Sequence, residues 1–227
     1  MSETVLIVAA HPDDEVLGCG GVMAKHADSG DAVHVLFVAD GVGARGGAKA
    51  PKGELARRKA AARRAAKILG ANAPQFLDFP DNRLDGVDLL DVTKAIEAFA
   101  ANLKPSIVYT HHGGDLNIDH RLVHQAVVTA FRPLPGAPTR NILAFETLSS
   151  TEWATPAIGQ AFQPDRFIGI EKQLKRKLGA IDVYRDEMRP FPHPRSPNAV
   201  RALAVLRGSA AGLPAAEAFM TVRWVEA

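Results

Sequence analysis

The stretch from Leu6 to Gly21 reads LIVAAHPDDEVLGCGG. Together with Val5, its first residues make a continuous apolar run to Ala10, the pattern of a strand buried on both faces of a parallel sheet. The run ends in His11, Pro12 and three acids in a row, Asp13, Asp14 and Glu15, followed by a glycine cluster. Adjacent carboxylates repel one another and resist desolvation. Placing them at the end of a buried strand therefore calls for a compensating charge, and a bound divalent cation supplies one.

Outward from this segment, strand and helix patterns alternate. A helix is predicted from Asp14 to about Asp28, stopped by Gly30, and Val33–Ala39 reads as a second buried strand. The Gly-rich DGVGARGGAKAPKG is a long loop, and Glu54–Leu69, ended by Gly70, is a strong helix pattern. Phe76–Phe79, Ser106–Thr110, Ile142–Phe145, Arg166–Ile170 and Met220–Val225 read as further strands. Leu89–Leu103, His120–Phe131 and Glu171–Glu187 read as helices, and the Pro-rich RPFPHPRSPN opens another that runs to about Ala211. The alternation predicts an α/β fold, a Rossmann-like, mostly parallel sheet with helices on both faces. Ligands in such sheets bind beyond the carboxyl ends of the strands. HPDDE and HHGGDLNIDH each follow a strand directly, so both are expected at that edge.

Composition narrows the function classes. The 227 residues show no linker-like composition shift, so one domain over 1–227 is expected, and 47% apolar content is enough for a full core. A net charge of +2 with 6% aromatic residues does not suggest a nucleic-acid partner. Cys19 is the single cysteine, so no intrachain disulfide forms. Neither a secretory leader pattern nor an apolar run of about 20 residues is present. A cytoplasmic protein without a transmembrane segment is expected.

His11 follows the first strand and Asp14 lies three residues on, in the first helical turn, a spacing that can turn both side chains to one point. Asp13 projects elsewhere. A catalytic zinc usually takes three protein ligands and keeps an open position. Asp119 and His120, at the end of the second loop, can complete the set. Read singly, the same residues have plainer roles: Asp14 as an N-cap, Asp13 and Glu15 as complements to the helix dipole, His120 as a surface histidine.

AAHPDDEVLGCGG and DHRLVHQAV resemble the PIG-L/LmbE-like superfamily of zinc-dependent N-acetylglucosamine de-N-acetylases. The resemblance covers most of the chain and is strongest over residues 4–40 and 105–130. It implies His11, Asp14 and His120 as zinc ligands, Asp13 as the general base, and Asp119 as a supporting acid. One departure stands out. The family segment often begins with a His that helps stabilise the oxyanion, and Asn117 stands there in this chain. Asn117 can donate only a neutral N–H, so either it does a weaker version of that job as a catalytic residue or another group replaces it; His193, in PFPHPRS, is a candidate, with His111, His112 and His124 as others.

The resemblance implies removal of an N-acetyl group from an amino sugar or its conjugate, with a small N-acetylated sugar as partner and a homo-oligomer as a possible assembly. Zn2+ is the expected cofactor, and Fe2+ would suit the same donors. Two alternatives stay open: an amidase of the same fold acting on a larger acyl or thiol conjugate, and a catalytically silent metal-containing sugar-binding protein. Arg45 and Arg83, both after strands, and Asp81 in PDNRLDG are candidate substrate contacts. The arginines of ARRKAAARRAAK read first as a solvated face. His124 reads as a surface or supporting residue rather than a ligand, and the GCGG glycines as close-packing residues rather than a dinucleotide loop. Tyr109 reads as a core residue and Trp153 as a loop anchor.

Overall fold

The computed structural model describes residues 2–43 and 53–226. The apolar runs form strands β1 (Thr4–Ala9), β2 (Ala32–Ala39), β3 (Gln75–Phe79), β4 (Ile107–His111), β5 (Asn141–Phe145), β6 (Arg166–Gly169) and β7 (Ala216–Arg223). Between them lie helices α1 (Asp14–Asp28), α2 (Glu54–Leu69), α3 (Leu89–Leu103), α4 (Ile118–Ala130), α5 (Leu174–Val183) and α6 (Pro197–Ser209). One sheet runs in the order β3-β2-β1-β4-β5-β7-β6. The first five strands in that order are parallel. β7 pairs antiparallel with both β5 and β6.

Alternate residues of β1 feed two cores, as the pleat requires. Val5, Ile7 and Ala9 pack with α1, α2 and α5, while Leu6, Val8 and Ala10 pack with α3 and α4. Both faces are covered, which is why the run is unbroken in hydrophobicity. The chain winds outward from β1 through β2 and β3, then returns to β4 on the other side of β1. The order of strands reverses between β1 and β4, the kind of crevice where such sheets hold ligands.

α1 links that crevice to the rest of the core. It is broken at Cys19, whose φ is −141°. Glu217 of β7 accepts the N–H groups of Gly21 (2.9 Å) and Val22 (2.7 Å) beyond the break. Lys177 pairs with Glu217 at 2.6 Å and donates to the Leu17 carbonyl. The break is thus capped by a buried ion pair, which keeps both its charges satisfied. The glycines act as spacers: a Cβ on Gly18 would run into the Phe145 ring, and one on Gly21 into Ile170.

Several boundaries differ from the sequence expectation. α4 starts two residues earlier than predicted, because Asn117 caps it. α5 covers Leu174–Val183 rather than Glu171–Glu187, because Gln173 and Tyr184 leave the helix as its caps. β7 begins at Ala216, four residues before the predicted strand, where pairing with β6 continues it.

Candidate metal centre

His11 leaves β1, and Asp14 opens α1. Asp13, between them, has φ 119°, a left-handed value uncommon for a residue with a side chain. His120 lies in the first turns of α4, at the carboxyl end of β4. The topology brings the three to one point. His11 Nδ1 lies 3.3 Å and His120 Nε2 3.2 Å from the same oxygen, Asp14 Oδ2. All three residues are buried, and one donor atom from each falls within 4.8 Å of the others.

Each imidazole is backed by a carboxylate on its far side. His11 Nε2 meets Asp119 Oδ2 at 3.0 Å and Asp81 Oδ1 at 3.1 Å. His120 Nδ1 lies 3.1 Å from Asp115 Oδ1. The backing carboxylates are themselves held. Asp119 accepts the N–H groups of Asn82 and Leu84, which ties the loop after β3 to α4. Asp115 accepts from the hydroxyls of Ser150 and Thr151. Carboxylate–imidazole pairs of this kind orient a metal-ligating His and fix its tautomer.

The cluster is heavily charged. Burial works against protonating the two imidazoles, yet the surrounding carboxylates win: His11 is raised well above the usual histidine range and His120 to about 9. Burial alone would raise Asp115, but His120 and the hydroxyls hold it at about 2. Burial pushes Glu15, which accepts from Tyr184 and from the Asp13 N–H, up to about 8.

The donor set fits a divalent cation. Asp14 Oδ1 is buried and accepts no hydrogen bond among the described residues. Two imidazole nitrogens and this carboxylate converge while their outer nitrogens are anchored elsewhere. Three such donors would leave a position open for water, as in catalytic sites.

His111 is adjacent but committed. It stacks on His120 with ring centroids 3.8 Å apart, and its Nε2 accepts the Ala10 N–H. His112 and His124 hold backbone carbonyls, those of Gln160 and His111. Asn117 has both ends of its amide engaged: Oδ1 accepts from the Asp119 N–H and Nδ2 donates to Asn82 Oδ1.

The Pro-rich loop does reach the site, through Arg195. Its Nη1 donates to Asp13 Oδ2 at 2.7 Å and its Nε to Ser149 Oγ at 2.6 Å. His193 accepts the Arg195 N–H and meets Trp153 edge-on, at 5.9 Å between ring centroids. Asp81 joins the cluster through His11. Arg83 is exposed beside it and Arg45 lies outside the described residues. Of the basic helix, Arg58 is buried against Glu187, while Arg57, Arg63 and Arg64 face outward. Asp115 and Arg195 escaped the sequence reading. Asp115 sits in the loop already singled out, and Arg195 is two residues from His193.

The fold is a Rossmann-like α/β sheet with a buried His–Asp–His cluster, a candidate metal site, at the reversal of strand order. Residues 6–131 match the PIG-L family, GlcNAc-PI de-N-acetylase, and the chain belongs to that family. It is 31% identical over 187 residues to YaiS, an uncharacterized deacetylase of Escherichia coli K12, covering 80% of this chain and 90% of YaiS. It is 29% identical over 201 residues to a 4-oxalmesaconate hydratase of Pseudomonas putida KT2440, covering 79% and 72%. The N,N'-diacetylchitobiose deacetylase of Pyrococcus horikoshii superposes with a TM-score of 0.78 at 21% identity, over 98% of this chain and 84% of that one. Further relatives are deacetylases of N-acetylated sugar conjugates.

Proposed function

We infer that this protein is a metal-dependent N-deacetylase acting on an N-acetylated amino sugar or its conjugate. The observation that carries this reading is the buried convergence of His11, Asp14 and His120, each imidazole backed by its own carboxylate, beside Asp13. His11, Asp14 and His120 would hold the ion. Zinc suits two imidazoles and a carboxylate, and ferrous iron suits the same donors. Such an ion lowers the pKa of water toward about 7 and polarises an amide carbonyl.

The remaining steps belong to the chain. Asp13 takes the proton of the attacking water and returns it to the departing amine. Arg195 positions Asp13 by holding its Oδ2. Asp119 and Asp115 keep the two imidazoles in place, each by its outer nitrogen. Asn117, with its amide committed to capping α4, is left to shape the loop, and His193 is the candidate donor to the developing oxyanion. Arg83, exposed beside the cluster, is the candidate contact for the sugar, while Asp81 is buried against His11 and helps hold that ring.

One observation keeps a second reaction class in view. The similarity to a hydratase covers 79% of this chain, and a metal ion beside a general base is also chemistry that activates water for addition to a double bond. The deciding assay incubates the metal-loaded protein with a panel of N-acetylated amino sugars and sugar conjugates, and separately with unsaturated hydroxy-carboxylic acids. Acetate released in step with free amine supports the deacetylase. Loss of ultraviolet absorbance from the unsaturated acids, without acetate from any sugar, supports the hydratase instead. Release of a larger acid would mark an amidase. Tight sugar binding without turnover would mark a binding protein.

A further inference from the structure

We propose that the protein carries a second ligand site, a pocket for a small amphipathic organic anion, at the end of α1 opposite the metal cluster. The cavity measures about 360 Å3, within the usual size of a small-molecule pocket. It opens at the amino edge of the sheet, where α1 ends and β6 begins, whereas the metal cluster lies at the carboxyl edge.

The floor is apolar. Ile107 and Tyr109 of β4 and Leu143 of β5 form it, and Val22 and Ile168 wall it on two sides. Its deep polar atoms are already satisfied. Asp31 Oδ2 and His26 Nδ1 are 2.7 Å apart, and His26 Nε2 meets the Tyr109 hydroxyl at 3.0 Å. The other Asp31 oxygen accepts the Glu3 N–H. A group entering the deep part therefore finds no polar partner waiting, and an apolar body is what fits.

The rim is different. Lys25 and Arg166 both line it, and neither is paired with a carboxylate among the described residues. Lys25 spends one donor on the Gly169 carbonyl. Arg166 lies flat over the Trp224 ring, 4.0 Å from its centroid, with Nε 3.4 Å from Thr221 Oγ1. Trp224 is 38% exposed there. Of the acids nearby, Asp31 is committed to His26 and the Glu3 N–H, Asp28 to Arg176 and Gln173, Asp165 to the N–H and hydroxyl of Thr221, and Glu226 to the Trp224 indole N–H. Two cations with no direct carboxylate partner above an apolar floor match one carboxylate or sulfonate on an apolar body, with the guanidinium–indole stack as a flat side wall.

The test uses the full-length, metal-loaded protein and two probes. These are 8-anilinonaphthalene-1-sulfonate and N-phenyl-1-naphthylamine, which share the same ring body and differ in the sulfonate. A Trp153→Phe background leaves Trp224 as the sole tryptophan, so energy transfer to the probe reports this pocket. The sulfonate is expected to bind one per chain with transfer from Trp224, at least tenfold tighter than its neutral counterpart. Arg166→Glu and Lys25→Glu each abolish that preference at unchanged Tm. Ser29→Trp, at the exposed rim, blocks both probes. Equal affinity for the two probes, absence of transfer from Trp224, or indifference to both charge reversals overturns the proposal. So does a dimer in sedimentation that Trp224→Ala dissociates, since this face would then be an interface between copies.

Discussion

The two ends of α1 are built from the same pair of residue types and do opposite things. At the amino end, His11 and His120 each lean on a carboxylate, Asp119 or Asp115, through one ring nitrogen. At the carboxyl end, His26 leans on Asp31 in the same way. The difference lies in the second nitrogen. At the amino end the second nitrogens of two rings converge on Asp14, which keeps an oxygen without a partner. At the carboxyl end the second nitrogen is taken by the Tyr109 hydroxyl, and the chain of hydrogen bonds closes. An Asp–His pair thus becomes a candidate metal-binding element only when the nitrogen away from its carboxylate is left uncommitted, and only tertiary packing decides that.

Substitutions that open or close these ends separate the two roles. The largest effect is expected at the amino end. Asp14→Ala should reduce bound metal from about one ion per chain to near none, read by elemental analysis. Asp13→Asn should keep the metal and lower turnover by roughly 10²–10⁴-fold, the usual contribution of a positioned acid–base group. Loss of metal in Asp13→Asn would mean that the two aspartates share the ligand role.

Asp115→Asn tests the backing carboxylate alone. Metal affinity should fall by about 10–100-fold, measured by competition with a chelator, while the fold persists. An unchanged affinity would reduce Asp115 to a loop anchor for Ser150 and Thr151.

Smaller effects are expected away from the cluster. Gly18→Ala forces a methyl group against Phe145, and the overpacking should destabilise the fold by about 1–3 kcal/mol in denaturant melts. Tyr109→Phe should cost about 1 kcal/mol by removing the partner of His26, with metal content unchanged. A change in metal content there would show that α1 couples its two ends. Cys19 should stay inert: burial raises its thiol well above the usual range, so it remains protonated from pH 7 to 9. A thiol reagent at pH 8 should modify it only after unfolding, and rapid native labelling would contradict this packing.

The sequence was most legible where local pattern and chemistry coincide. The continuous apolar run of β1, the acids that follow it and the glycines after them each have a local physical reason, so the parallel sheet and His11, Asp13 and Asp14 could all be read from one stretch. His120 was readable because it also follows a strand. Asp115 was not, since an acid in a Gly-rich loop looks like any turn residue until Ser150 and Thr151 fold against it. Arg195 was hidden in the same way. It meets Asp13 across 182 positions of sequence, and the histidine two residues away drew the chemical reading instead. Asn117 had a local signal of its own, a cap residue before a helix, and the structure gives it that role.

By itself the sequence determined the layered α/β architecture, the edge of the sheet that carries the chemistry, and the residue types gathered there, because hydrophobic periodicity and strand-end chemistry act over a few residues. Tertiary structure decided the antiparallel turn of β7 and β6, the capping of broken α1 by Glu217, the hold of Arg195 on Asp13, and which ring nitrogens stay open. Each of these depends on groups far apart in the chain arriving within about 3 Å of one another, a distance that sets hydrogen bonding and that no local pattern records.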